Sequence, residues 1–175
     1  MNLSHAQRKY LVHEQLIGGA LVNGLINALL GWLTFRNHPV VPMQGDPSLL
    51  NDIIATSVLM PWFICVIGTP LVRKALRAGK AEALAGPSSA RTMVLWLPAN
   101  SLLRGGLLAV ASLATCAPLL LGGLLVFGVH GMSVASFAVL KLFYAGLLGG
   151  LVSLVVALYA MAAPSAPLTA ALDPA

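Results

Sequence analysis

Four long apolar runs constrain this chain more than any other feature in it. They cover residues 11–35, 50–72, 102–127 and 137–160. Each exceeds the roughly 20 residues that a helix needs to cross the hydrocarbon core of a bilayer. Charged residues make up only 9% of the chain, against about 25% in a soluble domain. A water-soluble bundle needs a polar face on each helix, and these runs hold too few polar residues to supply one. The pattern predicts an all-α integral membrane four-helix bundle, built as one domain over residues 1–162. The Ala- and Pro-rich tail, 163–175, is expected to be disordered.

The first run is not read as a cleaved signal peptide. It is too long for one, and it ends in Trp32-Leu33-Thr34-Phe35-Arg36 without a small-residue cleavage site. Ser4-His5-Ala6-Gln7 has the form of a capping box, so the first helix should begin near Ser4.

Orientation follows from the cations. Arg8 and Lys9 precede the first span, and Arg73, Lys74, Arg77, Lys80, Arg91 and Arg104 lie between the second and third or at their ends. Only Arg36 and Lys141 fall on the other side. Basic residues concentrate on cytoplasmic loops, so both termini and the basic connector 73–101 are expected in the cytoplasm, against anionic lipid headgroups. The connector lacks interleaved aromatics and any nucleic-acid-binding motif, and nucleic acid is not an expected partner. Gly79, Gly86, Pro87 and Ser88 suggest a flexible connector. Residues 92–98 turn apolar again and suit the membrane interface, with Trp96 as an anchor.

Against this background the polar residues stand out. Gln15, Gly19, Asn23, Asn27 and Gly31 recur every four positions, which places them on one face of the first helix. Lipid offers an amide no hydrogen bond, so this seam should face protein or a polar cavity. Two readings stand side by side. The stripe is packing glue for the bundle or a homo-oligomer, or Asn23 and Asn27 line a substrate path that also meets Asp52. Pro61 and Pro70 in the second helix and Pro118 in the third each remove a backbone donor and are candidate kinks. Gly146 and Gly150 in the fourth have the GxxxG spacing of a close helix contact, within the bundle or between copies.

Each span also has one ionisable residue near its N-terminal end: Glu14, Asp52, Arg104 and Lys141. The offset is 90 residues from Glu14 to Arg104 and 89 from Asp52 to Lys141, and Met43 and Met132 are also 89 apart. The two helical hairpins are therefore candidates for a diverged parallel repeat. Chain direction puts each acid at the depth of a base. Charges inside a bilayer usually pair, which predicts the ion pairs Glu14–Arg104 and Asp52–Lys141.

Little points to catalysis or to a cofactor. His5, His13, His38 and His130 lie at the expected interfaces or in loops, where haem ligation has no mid-membrane pair to use. His38 and His130 share the outer side without clustered acids. Cys65 and Cys116 sit inside spans and fit apolar filler thiols. No phosphate-binding loop, dinucleotide fingerprint or nucleophile elbow occurs, and no metal or other cofactor is expected.

A membrane glutamate in the first of four helices invites comparison with small multidrug-resistance transporters. That family is shorter, with deeper glutamates and short loops, and the chain departs from it. The Asn-containing first helix, the outer segment VVPMQG and the TPLVRK that closes the second helix resemble small four-helix inner-membrane proteins of bacteria. That resemblance implies fold and location only. For function, the expectation is a small permease-like carrier or channel subunit in the cell inner membrane. The alternative is a non-catalytic scaffold or accessory subunit with a membrane-protein partner.

Overall fold

The computed structural model describes residues 3–84 and 89–163. Four helices in it are long and apolar enough to cross a membrane: α1 (His5–Phe35), α2 (Leu49–Arg77), α4 (Ser101–Val126) and α5 (Val134–Ala162). A short helix, α3 (Ser89–Leu95), precedes α4. Two-residue strands β1 (Val41–Pro42) and β2 (Gly131–Met132) join the α1–α2 and α4–α5 links. The expected tail beyond Ala163 and the connector residues Gly86, Pro87 and Ser88 lie outside the described residues.

Polar residues mark the helix starts. Ser4 Oγ accepts from the Gln7 amide at 3.1 Å while Gln7 Oε1 accepts from the Ser4 amide at 2.9 Å, so the capping box is complete. Ser48, Asn100 and Ser133 cap α2, α4 and α5 in turn, each satisfying an amide that the first helical turn leaves free. Pro61, Pro70 and Pro118 lie inside continuous helices, and α2 runs on past its second proline to Arg77. Within α1, residues Tyr10–Ile17 are π-helical, a wider winding that is rare and recurs at functional sites.

The four long helices form a curved layer in the order α1–α5–α2–α4. α5 packs against both α1 and α2, and α4 packs against the far side of α2. α1 and α2 touch little, as do α4 and α5. α5 is the most enclosed helix and α1 the most open. Exchanging the two hairpins maps this pattern onto itself: α1 on α5 becomes α4 on α2. The strands follow the same rule. Pro42 pairs with Gly131, 89 residues away, and Val41↔Met132 is mirrored by the Met43 amide bonding to the His130 carbonyl at 3.0 Å. This pattern of contacts is one that two parallel hairpins of common design would produce.

Small residues let α1 and α5 approach. A Cβ added at Gly24 would stand 2.7 Å from the Leu142 carbonyl oxygen, and one at Gly149 would stand 2.5 Å from the Asn23 Cβ. Gly150 abuts Leu16 and Gly146 abuts Ala20. The Gly146/Gly150 spacing is thus spent on α1 of the same chain, where close backbones gain dispersion that bulkier side chains would forbid.

Apolar clusters close both ends of the layer. At one end Phe35, Val41, Leu49, Ile53 and Phe137 are buried together. At the other, Tyr10, Leu11, Val72, Leu84, Val94 and Met161 pack together. Part of the connector joins this second cluster: the Leu84 amide bonds to the Met161 carbonyl at 2.9 Å, Gln7 Nε2 to the Ala83 carbonyl at 2.9 Å, and Ser4 Oγ to Glu82 at 2.6 Å. Within the connector Ala81 and Leu84 are buried, because their apolar side chains find a surface at the bundle end. Met93 and Trp96, 88% exposed, remain uncovered there.

Candidate functional site

Lys141, in the second turn of α5, faces α2 in the middle of the layer. Its Nζ lies 2.6 Å from Asp52 Oδ2 and also donates to Thr56 Oγ1, one turn further along α2. The spacing of Asp52 and Thr56 puts both acceptors on one face of the helix. Asp52 and Lys141 are 89 residues apart, the offset that also separates the paired Pro42 and Gly131. Lys141 is 3% exposed and Asp52 22%, so the acid end of the pair is the accessible one.

Glu14 and Arg104 are not brought together. Glu14 is exposed, while Arg104 is wholly buried between α4, α2 and α5. Its guanidinium donates to the carbonyls of Pro98 (2.8 Å) and Ala99 (3.3 Å) and to Thr69 Oγ1 (2.7 Å). It also stands 3.9 Å from the centre of the Tyr159 ring, a cation–π contact. The physical reason is position in the layer. Glu14 and Arg104 sit on α1 and α4, which pack chiefly on different helices, α5 and α2. Matching depth brings a pair together only when their helices pack on one another.

The five residues of the α1 stripe divide between two jobs. Gly19 and Gly31 turn toward α5, against Ser153 and Phe137 respectively. Asn23, Asn27 and Gln15 border the space that opens between α1 and α2 above α5. That space is a long groove. Its outer half, about 350 Å³, is lined by Asn23, Asn27, Asp52, Thr56, Met60 and Lys141 among others. Its inner half, about 420 Å³, continues through Asn23 past Gly68 and Ser153 to Gln15 and Tyr10. Ile26, Leu30, Leu59 and Phe63 form the rims, all but Phe63 and Leu59 on α1, and all four side chains are exposed.

Asn23 and Asn27 turn amide donors onto their own helix. Asn23 Nδ2 bonds to the Gly19 carbonyl at 2.8 Å. Asn27 Nδ2 bonds to the Asn23 carbonyl at 2.9 Å and reaches Met60 Sδ at 3.6 Å. Among the described residues, no protein group donates to Oδ1 of Asn23, Asn27 or Asp52. Three acceptors on groove-lining residues therefore have no protein partner.

The other side of the layer carries the equivalent groove. It lies between α4 and α5, holds about 420 Å³ and is lined by Cys116, Leu119, Phe143, Tyr144, Leu147 and Leu148 among others. At an offset of 89 residues, Asn27 corresponds to Cys116, Leu30 to Leu119, Ala55 to Tyr144 and Leu59 to Leu148, and both members of each pair line their own groove. Tyr144 fills where Ala55 leaves room, and its hydroxyl is satisfied by Ser57 at 2.6 Å.

Sequence reasoning missed Thr56 and Lys141 as groove residues, since a lone threonine in an apolar span carries no signal. It also missed Thr69 and Tyr159 as partners of Arg104. Among the described residues, no group of three His, Cys, Asp or Glu side chains is close enough to hold a metal ion. His5, Arg8, Lys9 and His13 line a separate polar recess of about 480 Å³ near the start of α1. No family model matches this chain, and neither the curated proteins nor the solved structures contain a match.

Proposed function

We propose that this chain is a multi-pass protein of the cell inner membrane, with both termini cytoplasmic, and that it works as a small permease-like carrier through the α1–α2 groove. Four helices of spanning length and the gathering of cations before the first span and between the second and third support the placement. The observation that carries the function is the groove itself. It runs along the layer, opens sideways between apolar rims and holds three acceptors without protein partners, an arrangement a packing interface would have closed. Polar groups inside a membrane domain usually mark a substrate or ion path. Anionic lipid headgroups would meet Arg8, Lys9 and the basic connector.

Native mass spectrometry of the protein taken gently from its own membranes tests this reading. A small molecule carried by wild type and lost in Asn27→Leu, with circular dichroism unchanged, is the expected result. A copurifying protein subunit without any small ligand would overturn it in favour of a scaffold or accessory subunit. One observation favours that second reading: α1 and α4 expose long apolar faces on which another membrane helix would fit.

A further inference from the structure

The groove's hydrogen-bonding inventory leans toward acceptors. Lys141 spends two of its three protons on Asp52 and Thr56, Asn27 spends both of its amide protons, and Asn23 spends one of its two on its own helix. Among the described residues, Oδ1 of Asn23, of Asn27 and of Asp52 accept from no protein group, and all three residues line the groove. The Asp52–Lys141 pair is a dipole whose accessible end is the carboxylate, because Asp52 is the more exposed partner. A visiting group must therefore bring donors, and positive charge suits it better than negative. Phosphate, sulfate and carboxylate bring negative charge, which would meet the Asp52 carboxylate, the more exposed end of the pair. The rims set the rest of the ligand. Ile26, Leu30, Leu59 and Phe63 flank the polar floor, so whatever follows the donor group lies against hydrocarbon, and the groove opens laterally toward the lipid.

We infer that the outer half of the α1–α2 groove binds the protonated primary amine of an amphipathic molecule that enters from the bilayer, with Asp52, Asn27 and Asn23 accepting its N–H groups. This rests on the groove being the substrate path and names the class of substrate. An alkylammonium without a phosphate suits the site better than an aminophospholipid, whose phosphate would follow the amine toward the Asp52 carboxylate. The equivalent α4–α5 groove, with Cys116 and Tyr144 at the matching positions, should hold acyl chains and no amine.

The test uses the full chain in phosphatidylcholine nanodiscs, a lipid without N–H donors. The discs are equilibrated with decylamine, decanol or decanoate, and the released protein is weighed by native mass spectrometry. A single decylamine adduct is expected, about tenfold weaker in Asn27→Leu and weaker again in Asp52→Asn. It should be unchanged in Cys116→Leu. Asn27→Leu keeps the test valid should Asp52→Asn fold poorly. Decanol or decanoate binding as well as decylamine, with the same sensitivity to Asn27→Leu, would overturn the amine assignment while leaving the groove as a substrate path. A decylamine adduct indifferent to Asn27→Leu would overturn both. Discs of phosphatidylethanolamine distinguish the amine's source: decylamine should still bind there, and its displacement by that lipid would overturn the preference for a phosphate-free ligand.

Discussion

The two grooves of this molecule occupy equivalent places and have opposite characters. Each lies between two helices that touch little, and only the polar one is floored by a third helix, through Lys141 of α5. In one, Asn27 and Asp52 leave oxygens without a protein partner. In the other, Cys116, Leu119 and Tyr144 fill the same frame. Backbone architecture alone therefore does not make a polar path. A few side chains decide it, and only on one side. The two buried cations make the same point about charge. Lys141, on the α5 face that packs on α2, meets the Asp52 carboxylate. Arg104 settles for carbonyls, a hydroxyl and an aromatic face.

The largest expected effect comes from removing half of the Asp52–Lys141 pair. Lys141→Met strands a carboxylate between helices, and such uncompensated charges cost about 3–5 kcal/mol. Unfolding in mixed detergent micelles should register a loss of that order. The double variant Asp52→Leu/Lys141→Met should recover most of it, since a buried pair replaced by apolar groups is often close to neutral. A double variant as unstable as the single one would mean that the pair does not bridge α2 and α5.

Next in size is the contact that holds the polar groove's outer wall. Gly24→Val forces a side chain against the Leu142 carbonyl, and overpacking of this kind costs about 1–3 kcal/mol. Gly122→Val in α4 meets open space and should leave the same unfolding midpoint unmoved. Equal losses at both positions would erase the difference between the tight α1–α5 seam and the open flank of α4.

Smaller still in stability, though large in function, is Asn27→Leu. Membrane hydrogen bonds average about 0.6 kcal/mol, so its unfolding should shift by less than about 1 kcal/mol while ligand retention is lost. Cys116→Leu, its equivalent in the other groove, should change neither. Reversed results would move the path to the other groove. The smallest effect belongs to Glu14→Gln. Glu14 is exposed and far from Arg104, so its unfolding should stay within about 0.5 kcal/mol of wild type. A loss several times larger would restore the ion pair that the layer order breaks.

Local and near-local features were legible in the residues. Hydropathy over windows of spanning length locates four helices because bilayer thickness sets a length that the chain must match. The capping box at Ser4 reads directly as well, because its donors and acceptors lie three residues apart. Asp52 and Lys141 could be matched because like offsets in two parallel hairpins put them at one depth, on helices that pack on one another. The order α1–α5–α2–α4 had no such signal. Helices that are apolar nearly all round can pack in several orders, and the choice falls to close contacts such as Gly24 on Leu142 and Gly105 on Trp62. That order parted Glu14 from Arg104 and spent Gly146 and Gly150 within the chain. It also turned Asn23 and Asn27 toward a groove rather than wholly into a seam. The π-helical turn at Tyr10–Ile17 belongs with these, since the local residue pattern gives no sign of it. Sequence alone determined which segments are long and apolar enough to span and which carry charge. Tertiary packing decided which polar atoms were left without a partner, because satisfaction of a hydrogen bond depends on neighbours that hydropathy does not name.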